Sequence, residues 1–187
     1  MRSQSPSSRF SARDLVFTAL MAVVISVCAW IQIPFGQISF TMQTFGIFVA
    51  AGLLGGRLGT LSVVVYLLLG AFGAPVFSGF TGGLAKLAGP TGGYLVGFVF
   101  AVLVYRGVTA LFGDGPVPAF AGMILGNLVC YAFGTLWFMT VASSKPGLAA
   151  ALSLCVLPFA IPDLCKIALA YAVTLALRDR LRTLRLL

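Results

Sequence analysis

The stretch Pro158-Phe159-Ala160-Ile161-Pro162-Asp163-Leu164-Cys165-Lys166 sets an acid and a base three residues apart in otherwise apolar surroundings. Pro162 fits the first position of a helix, where its missing N–H would have no intrahelical partner anyway. A helix starting there places Asp163 and Lys166 on one face, because residues three apart are neighbours. The run Ile167–Leu177 that follows is too hydrophobic for the surface helix of a soluble domain. The pair is therefore expected at the mouth of a membrane helix. Ionisable side chains in such a place are expensive and mark binding sites, while the plainer reading is a self-neutralising pair that only joins two helices.

Composition agrees with a membrane setting. The chain of 187 residues is 60% hydrophobic and 9% charged, with mean hydropathy +1.07, whereas soluble domains run near a quarter charged. There is no His and no Glu; the acids are Asp14, Asp114, Asp163 and Asp179. Without His, a His-based triad, an imidazole relay and a His metal site are all excluded. Cys28, Cys130, Cys155 and Cys165 lie in apolar runs without CxxC spacing and read as buried thiols.

Outward from the opening stretch, six apolar runs predict an all-α bundle of six transmembrane helices. They are Leu15–Ile33, Phe40–Leu54, Thr60–Phe72, a run starting at Tyr94–Tyr105, Val117–Thr140, and Pro162 to about Leu177. Leu148–Leu157 reads as a partly helical return segment, and Pro34–Ser39 as a turn. The run Phe40–Leu54 and the run Thr60–Phe72 fall short of the usual length of about 20 residues, so flanking helices or local thinning must accommodate them. Residues 1–13 form a polar, Ser-rich tail, 14–178 the membrane domain, and 179–187 a basic tail. The first apolar run is too long for a signal h-region and reads as a retained span.

Gly73–Gly93 is rich in Gly and Pro and cannot be a regular helix, yet it is too apolar for a free loop. Irregular backbone at membrane depth is tolerated where it is buried or lines a cavity, so this segment is expected to cap the bundle between the third and fourth helices. GxxxxGK[ST] is absent, and with it a phosphate loop.

Basic residues orient the chain. With the N-terminus inside, Arg2, Arg9, Arg13, Arg57, Arg106, Arg178, Arg180, Arg182 and Arg185 fall on the cytoplasmic side, against Lys86 and Lys145 outside. That bias follows the positive-inside rule and accounts for the net charge of +8 through topology and anionic lipid, with no face suited to nucleic acid. Both termini are then cytoplasmic, and the cap and the Asp163/Lys166 pair open outward.

The polar inventory near that outer half is Thr41, Gln43, Tyr94, Lys86, Asp163 and Lys166, with Asn127 or Tyr131 from deeper down. Phe35, Phe40, Phe72, Phe77, Phe80 and Phe159 supply apolar walls. A mostly apolar pocket with a few fixed polar groups suits a small, partly hydrophobic organic solute. Asn127 could equally be helix–helix glue, and Thr41, Gln43 and Thr44 could cap a helix. Thr18, Ala22 and Ser26, spaced by four, form a smooth stripe that would let another helix approach closely, within this chain or from a partner.

The chain resembles the BioY-type substrate-binding (S) component of energy-coupling-factor biotin transporters over about residues 10–180. The resemblance rests on Phe40-Thr41-Met42-Gln43-Thr44, the Leu67–Phe77 stretch, Gly89-Pro90-Thr91-Gly92-Gly93-Tyr94 and the opening motif, in that order. It implies a six-helix bundle with an outward biotin pocket capped by the loop after the third helix, in a bacterial cytoplasmic membrane. It further implies that Asp163 accepts ureido N–H bonds, and that Lys166 orients Asp163, reaches the ureido carbonyl or meets the carboxylate. The cap-loop Asn common in the family is absent; Ser78, Thr81 or Gln43 would substitute. The implied partners are a transmembrane coupling subunit, docked at Thr18, Ala22 and Ser26, and two ATPase subunits that use the ATP, with no cofactor in this chain. A stand-alone or proton-coupled carrier is the alternative; an intramembrane enzyme is disfavoured by the single intramembrane acid and the lack of His.

Overall fold

Ser11 starts the first helix. Its hydroxyl accepts from the Asp14 N–H at 3.1 Å while the Asp14 carboxylate accepts from the Ser11 N–H at 2.9 Å, a reciprocal capping box. The computed structural model describes residues 10–34 and 39–183. The turn at 35–38, Phe35, Arg2, Arg9 and Arg185 lie outside the described residues.

Helix α1 runs Ala12–Trp30. It ends earlier than its apolar run, because the next residues pair as a short antiparallel ribbon, β1 (Gln32–Ile33) with β2 (Phe40–Thr41), in the register Gln32↔Thr41 and Ile33↔Phe40. The ribbon, rather than a helix start, presents Phe40 and Thr41 to the interior. Helix α2 spans Gln43–Ala71, but Gly55 breaks it with φ 76° and ψ 166°. The chain folds back there. In one continuous helix Gln43 and Tyr66 would be about 35 Å apart at 1.5 Å per residue; instead their side chains hydrogen-bond at 2.6 Å. Gly59, in the second arm, lies so close to the Ala51 backbone of the first that a Cβ would come within 2.7 Å of the Ala51 Cα. Small residues allow this approach, which in lipid supplies the van der Waals packing that holds helices together.

Helix α3 (Leu84–Ala88) lies within the segment after α2, followed by α4 (Gly92–Phe112), α5 (Pro116–Val141), α6 (Leu148–Cys155) and α7 (Leu157–Thr183). Helix α7 begins at Leu157, not at Pro162. Pro158 takes the early-turn position where a missing N–H is harmless, and Pro162 stands inside the helix, where it removes one hydrogen bond. The helix also continues past residue 178 as far as Thr183, into the stretch read from sequence as a tail. Among the described residues, α1, α2, α4, α5 and the Leu157–Arg178 part of α7 are long and apolar enough to cross a membrane. This is a multi-pass, all-helical membrane architecture.

The first arm of α2 is the centre of the bundle: Ile47, Phe48, Val49, Ala50 and Ala51 are all buried. The outer faces of α1, α5 and α7 carry exposed Leu, Val and Ile, as a hydrocarbon surround requires. Three of the four cysteines are buried; Cys165 is exposed, because it shares the outer face of α7 with Leu164 and Ile161 rather than the face of Asp163.

Two polar ends result. At one, Arg57 lies over the Phe10 ring at 4.7 Å and Arg178 pairs with Asp114 at 2.7 Å. At the other, the segment from Gly73 to Thr91 folds over the bundle as a lid. Phe77 anchors it, fully buried, edge-on to Tyr66 at 5.4 Å and pressed against Gly70, where a Cβ would overlap its ring. Two indoles hold the lid margins: Trp30 Nε1 donates to the Pro75 carbonyl at 2.9 Å, and Trp137 Nε1 to the Gly89 carbonyl at 3.0 Å.

Candidate functional site

Beneath the lid, α2, α4, α5, α7 and the ribbon enclose a cleft. Its chemistry is set by α7. Asp163 and Lys166 are each 5% exposed, and Lys166 Nζ donates to Asp163 Oδ1 at 2.6 Å across one helical turn. The same ammonium donates to the Thr41 carbonyl at 2.7 Å and sits over the Phe40 ring at 3.6 Å from its centroid. Burial of an ion pair is tolerated only where further hydrogen bonds complete it. Here Tyr131 completes it, its hydroxyl donating to Asp163 Oδ2 at 2.5 Å. Both carboxylate oxygens thus have a protein donor, and each keeps a lone pair for a ligand.

Around this centre several polar groups are tied down. Gln43 Nε2 donates to the Tyr66 hydroxyl, and the Thr41 hydroxyl donates to Gln43 Oε1 at 2.9 Å. Tyr94 faces the cleft, with its hydroxyl paired to that of Thr135 at 3.0 Å. Asn127 lies one turn before Tyr131 on α5, its amide beside the Tyr131 hydroxyl. Phe40, Leu95, Phe98 and Phe159 form apolar walls, and Phe40 stacks near-parallel to Phe159 at 6.4 Å. The arrangement can grip a small organic solute with hydrogen-bonding and apolar parts.

The structure gathers Asp163, Lys166, Thr41, Gln43, Tyr94, Asn127 and Ser78 around this one cleft. Thr81 is not among them. It is exposed, and its hydroxyl donates to the Ser78 carbonyl at 2.9 Å, closing a turn of the lid. Of the aromatic walls expected from sequence, Phe40 and Phe159 line the cleft; Phe77 is turned into the bundle, Phe72 is 89% exposed and Phe80 stacks outside on Trp30. Phe98, Leu95 and Thr91 were missed, since an apolar helix does not by itself reveal which of its faces meets a cavity. Thr18, Ala22 and Ser26 are also placed differently from the docking expectation. All three are buried within this chain, so the smooth stripe serves α1–α2 packing and offers no surface to a partner; Ala19 and Val23 are exposed instead.

Comparison with known proteins agrees with this architecture. The profile of the BioY family matches residues 1–183. The chain is 38% identical to "Probable biotin transporter BioY" of Pyrococcus horikoshii over 162 residues, covering 87% of this chain and 94% of that protein. It is 37% identical to "Biotin transporter BioY" of Thermotoga maritima, covering 89% and 96%. The crystal structure of the S-component for biotin from an ECF-type ABC transporter superposes with TM-score 0.82 at 27% identity, over 91% of this chain and 95% of that one. Matching in sequence along nearly its whole length and in fold, the chain is a member of the BioY family.

Proposed function

We propose that this protein binds biotin in the cleft under the lid and serves as the S component of an energy-coupling-factor biotin transporter. The observation that carries the reading is the buried Asp163–Lys166–Tyr131 constellation, set in apolar walls within a chain of the BioY family. Asp163 offers acceptor lone pairs suited to the N–H groups of the ureido ring, while Phe40, Phe98 and Phe159 suit the thiophane ring and the aliphatic chain. Lys166, bonded to Asp163 and to the Thr41 carbonyl, holds Asp163 in place. The likeness to a solved S component supports a transmembrane coupling subunit and two ATPase subunits as partners, with ATP hydrolysed outside this chain.

The Gly55 fold-back supports counting the two arms of α2 as separate crossings, which makes six with α1, α4, α5 and α7. Six crossings put Phe10, Arg57, Asp114 and Arg178 at one end and the lid at the other. The positive-inside rule then assigns the arginine end to the cytoplasm and the lid to the outside of the cytoplasmic membrane.

The test is calorimetric titration of the purified, detergent-solubilised protein with biotin, using lipoate and thiamine as controls. One-to-one binding of biotin alone is the expected result. A folded sample that ignores biotin overturns the assignment of the solute.

A further inference from the structure

The two ammonium groups that line the cleft differ in what they have left to offer. Lys166 gives two of its three donors to Asp163 Oδ1 and the Thr41 carbonyl, and its ammonium also sits over the Phe40 ring. A lysine has three donors and no more. Lys86 stands on α3, inside the lid, half-buried at the cleft wall. Among the described residues it has no carboxylate within ion-pair distance.

The charges of the cleft give the consequence. Its lining includes one carboxylate, Asp163, and two ammonium groups, Lys166 and Lys86. Asp163 and Lys166 neutralise each other at 2.6 Å, so one positive charge remains, and the lid carries it. The walls also include Leu95, Phe98 and Phe159, whose side chains offer no hydrogen bonds to a ligand. A cleft of this kind is complementary to a molecule with a neutral hydrogen-bonding head, an apolar middle and one anionic end. Charge-assisted hydrogen bonds to a carboxylate are stronger than neutral ones, and a partly screened site strengthens them further.

We propose that Lys86 is the specificity-determining residue for the carboxylate of the bound acid, while Lys166 acts as a positioning residue that reaches the ligand only through Asp163. This rests on the biotin reading above. It divides recognition between a fixed end, built from α5 and α7, and a lid end that reads charge.

The experiment compares biotin with biotinamide, its uncharged counterpart, on the full-length wild type and on Lys86→Gln, Lys86→Arg and Lys166→Met. Wild type is expected to prefer the acid by at least tenfold. Lys86→Gln loses that preference, its biotin Kd rising at least tenfold while its biotinamide Kd stays within about twofold, and Lys86→Arg retains it. Lys166→Met weakens both ligands in parallel. A Lys86→Gln protein that keeps the wild-type acid-to-amide ratio overturns the assignment, whether its affinities are unchanged or both fall together. Wild type that binds neither ligand overturns the biotin reading instead; lipoate and lipoamide titrated into the same proteins then test Lys86 alone, and an unaltered ratio there overturns it.

Discussion

Replacing Lys166 by Met keeps most of the side-chain volume and removes one charge. The ammonium that disappears donates to Asp163 at 2.6 Å and to the Thr41 carbonyl at 2.7 Å, in a position 5% exposed. What remains is a buried carboxylate with the Tyr131 hydroxyl as its hydrogen-bond partner. Breaking a buried pair from one side costs about 3–5 kcal/mol, because the surviving charge is left uncompensated. Removing both charges costs much less, so the double variant Asp163→Asn/Lys166→Met should be more stable than Lys166→Met alone by about 2 kcal/mol or more, which makes the pair strongly non-additive. The assay is reversible unfolding in mixed dodecyl maltoside and dodecyl sulfate micelles, followed by indole fluorescence, with all four members of the cycle compared. Biotin binding reads a different property: either single variant should raise Kd by at least tenfold, about 1.4 kcal/mol. Stabilities that add without coupling would show that the two side chains do not form the pair, and the account of Lys166 as the residue that holds Asp163 would fail.

Tyr131→Phe removes the hydrogen bond to Asp163 Oδ2 and nothing else of the ring, so biotin affinity should fall at least tenfold, about the lower bound for a hydrogen bond to a charged group; calorimetry that shows wild-type affinity refutes a supporting role for this hydroxyl. Trp137→Phe loses the bond from Nε1 to the Gly89 carbonyl, worth about 1 kcal/mol, so release of labelled biotin chased by unlabelled biotin should accelerate roughly fivefold. An unchanged release rate would mean that the indole does not restrain the lid. Ala22→Leu overpacks the buried α1–α2 seam and should destabilise by about 1–3 kcal/mol, whereas Ala19→Leu on the exposed face should stay within about 0.5 kcal/mol. Equal effects of the two in denaturation curves would put the seam elsewhere.

The hydropathy runs located every long helix, because the contrast between apolar spans and their Gly-, Pro- or Arg-bearing ends is large in a membrane protein. The i,i+3 placement of Asp163 and Lys166 was legible too, since it depends only on helical geometry and holds whether α7 starts at Leu157 or Pro162. Boundaries were less legible. Gln32 and Ile33 read as the end of a span, but their backbone pairs with Phe40 and Thr41, a long-range choice that periodicity does not encode. The face of a helix was least legible. In α1 the spacing of Thr18, Ala22 and Ser26 fits packing inside the chain and packing against a partner equally well, and tertiary structure chose the former. Tyr131 was visible as a polar residue near mid-span, yet its pairing with Asp163 joins residues 32 apart in sequence and needed coordinates.

The fold-back at Gly55 bears on how the chain enters a bilayer. The arm of α2 before the break is buried on nearly every side, so it meets the least lipid of any long segment in the finished protein, and by itself it is shorter than an independently inserting helix. Gly55, with φ 76° and nothing within 4 Å of where a Cβ would stand, lets the two arms turn tightly back on each other as one hairpin. Helices α4, α5 and α7 are made later and must then gather around a hairpin already in place. Synthesis from the N-terminus thus delivers α1 and the central element before the rest of the enclosure, and a residue that stiffens position 55 is expected to show its effect in membrane integration as well as in ligand binding.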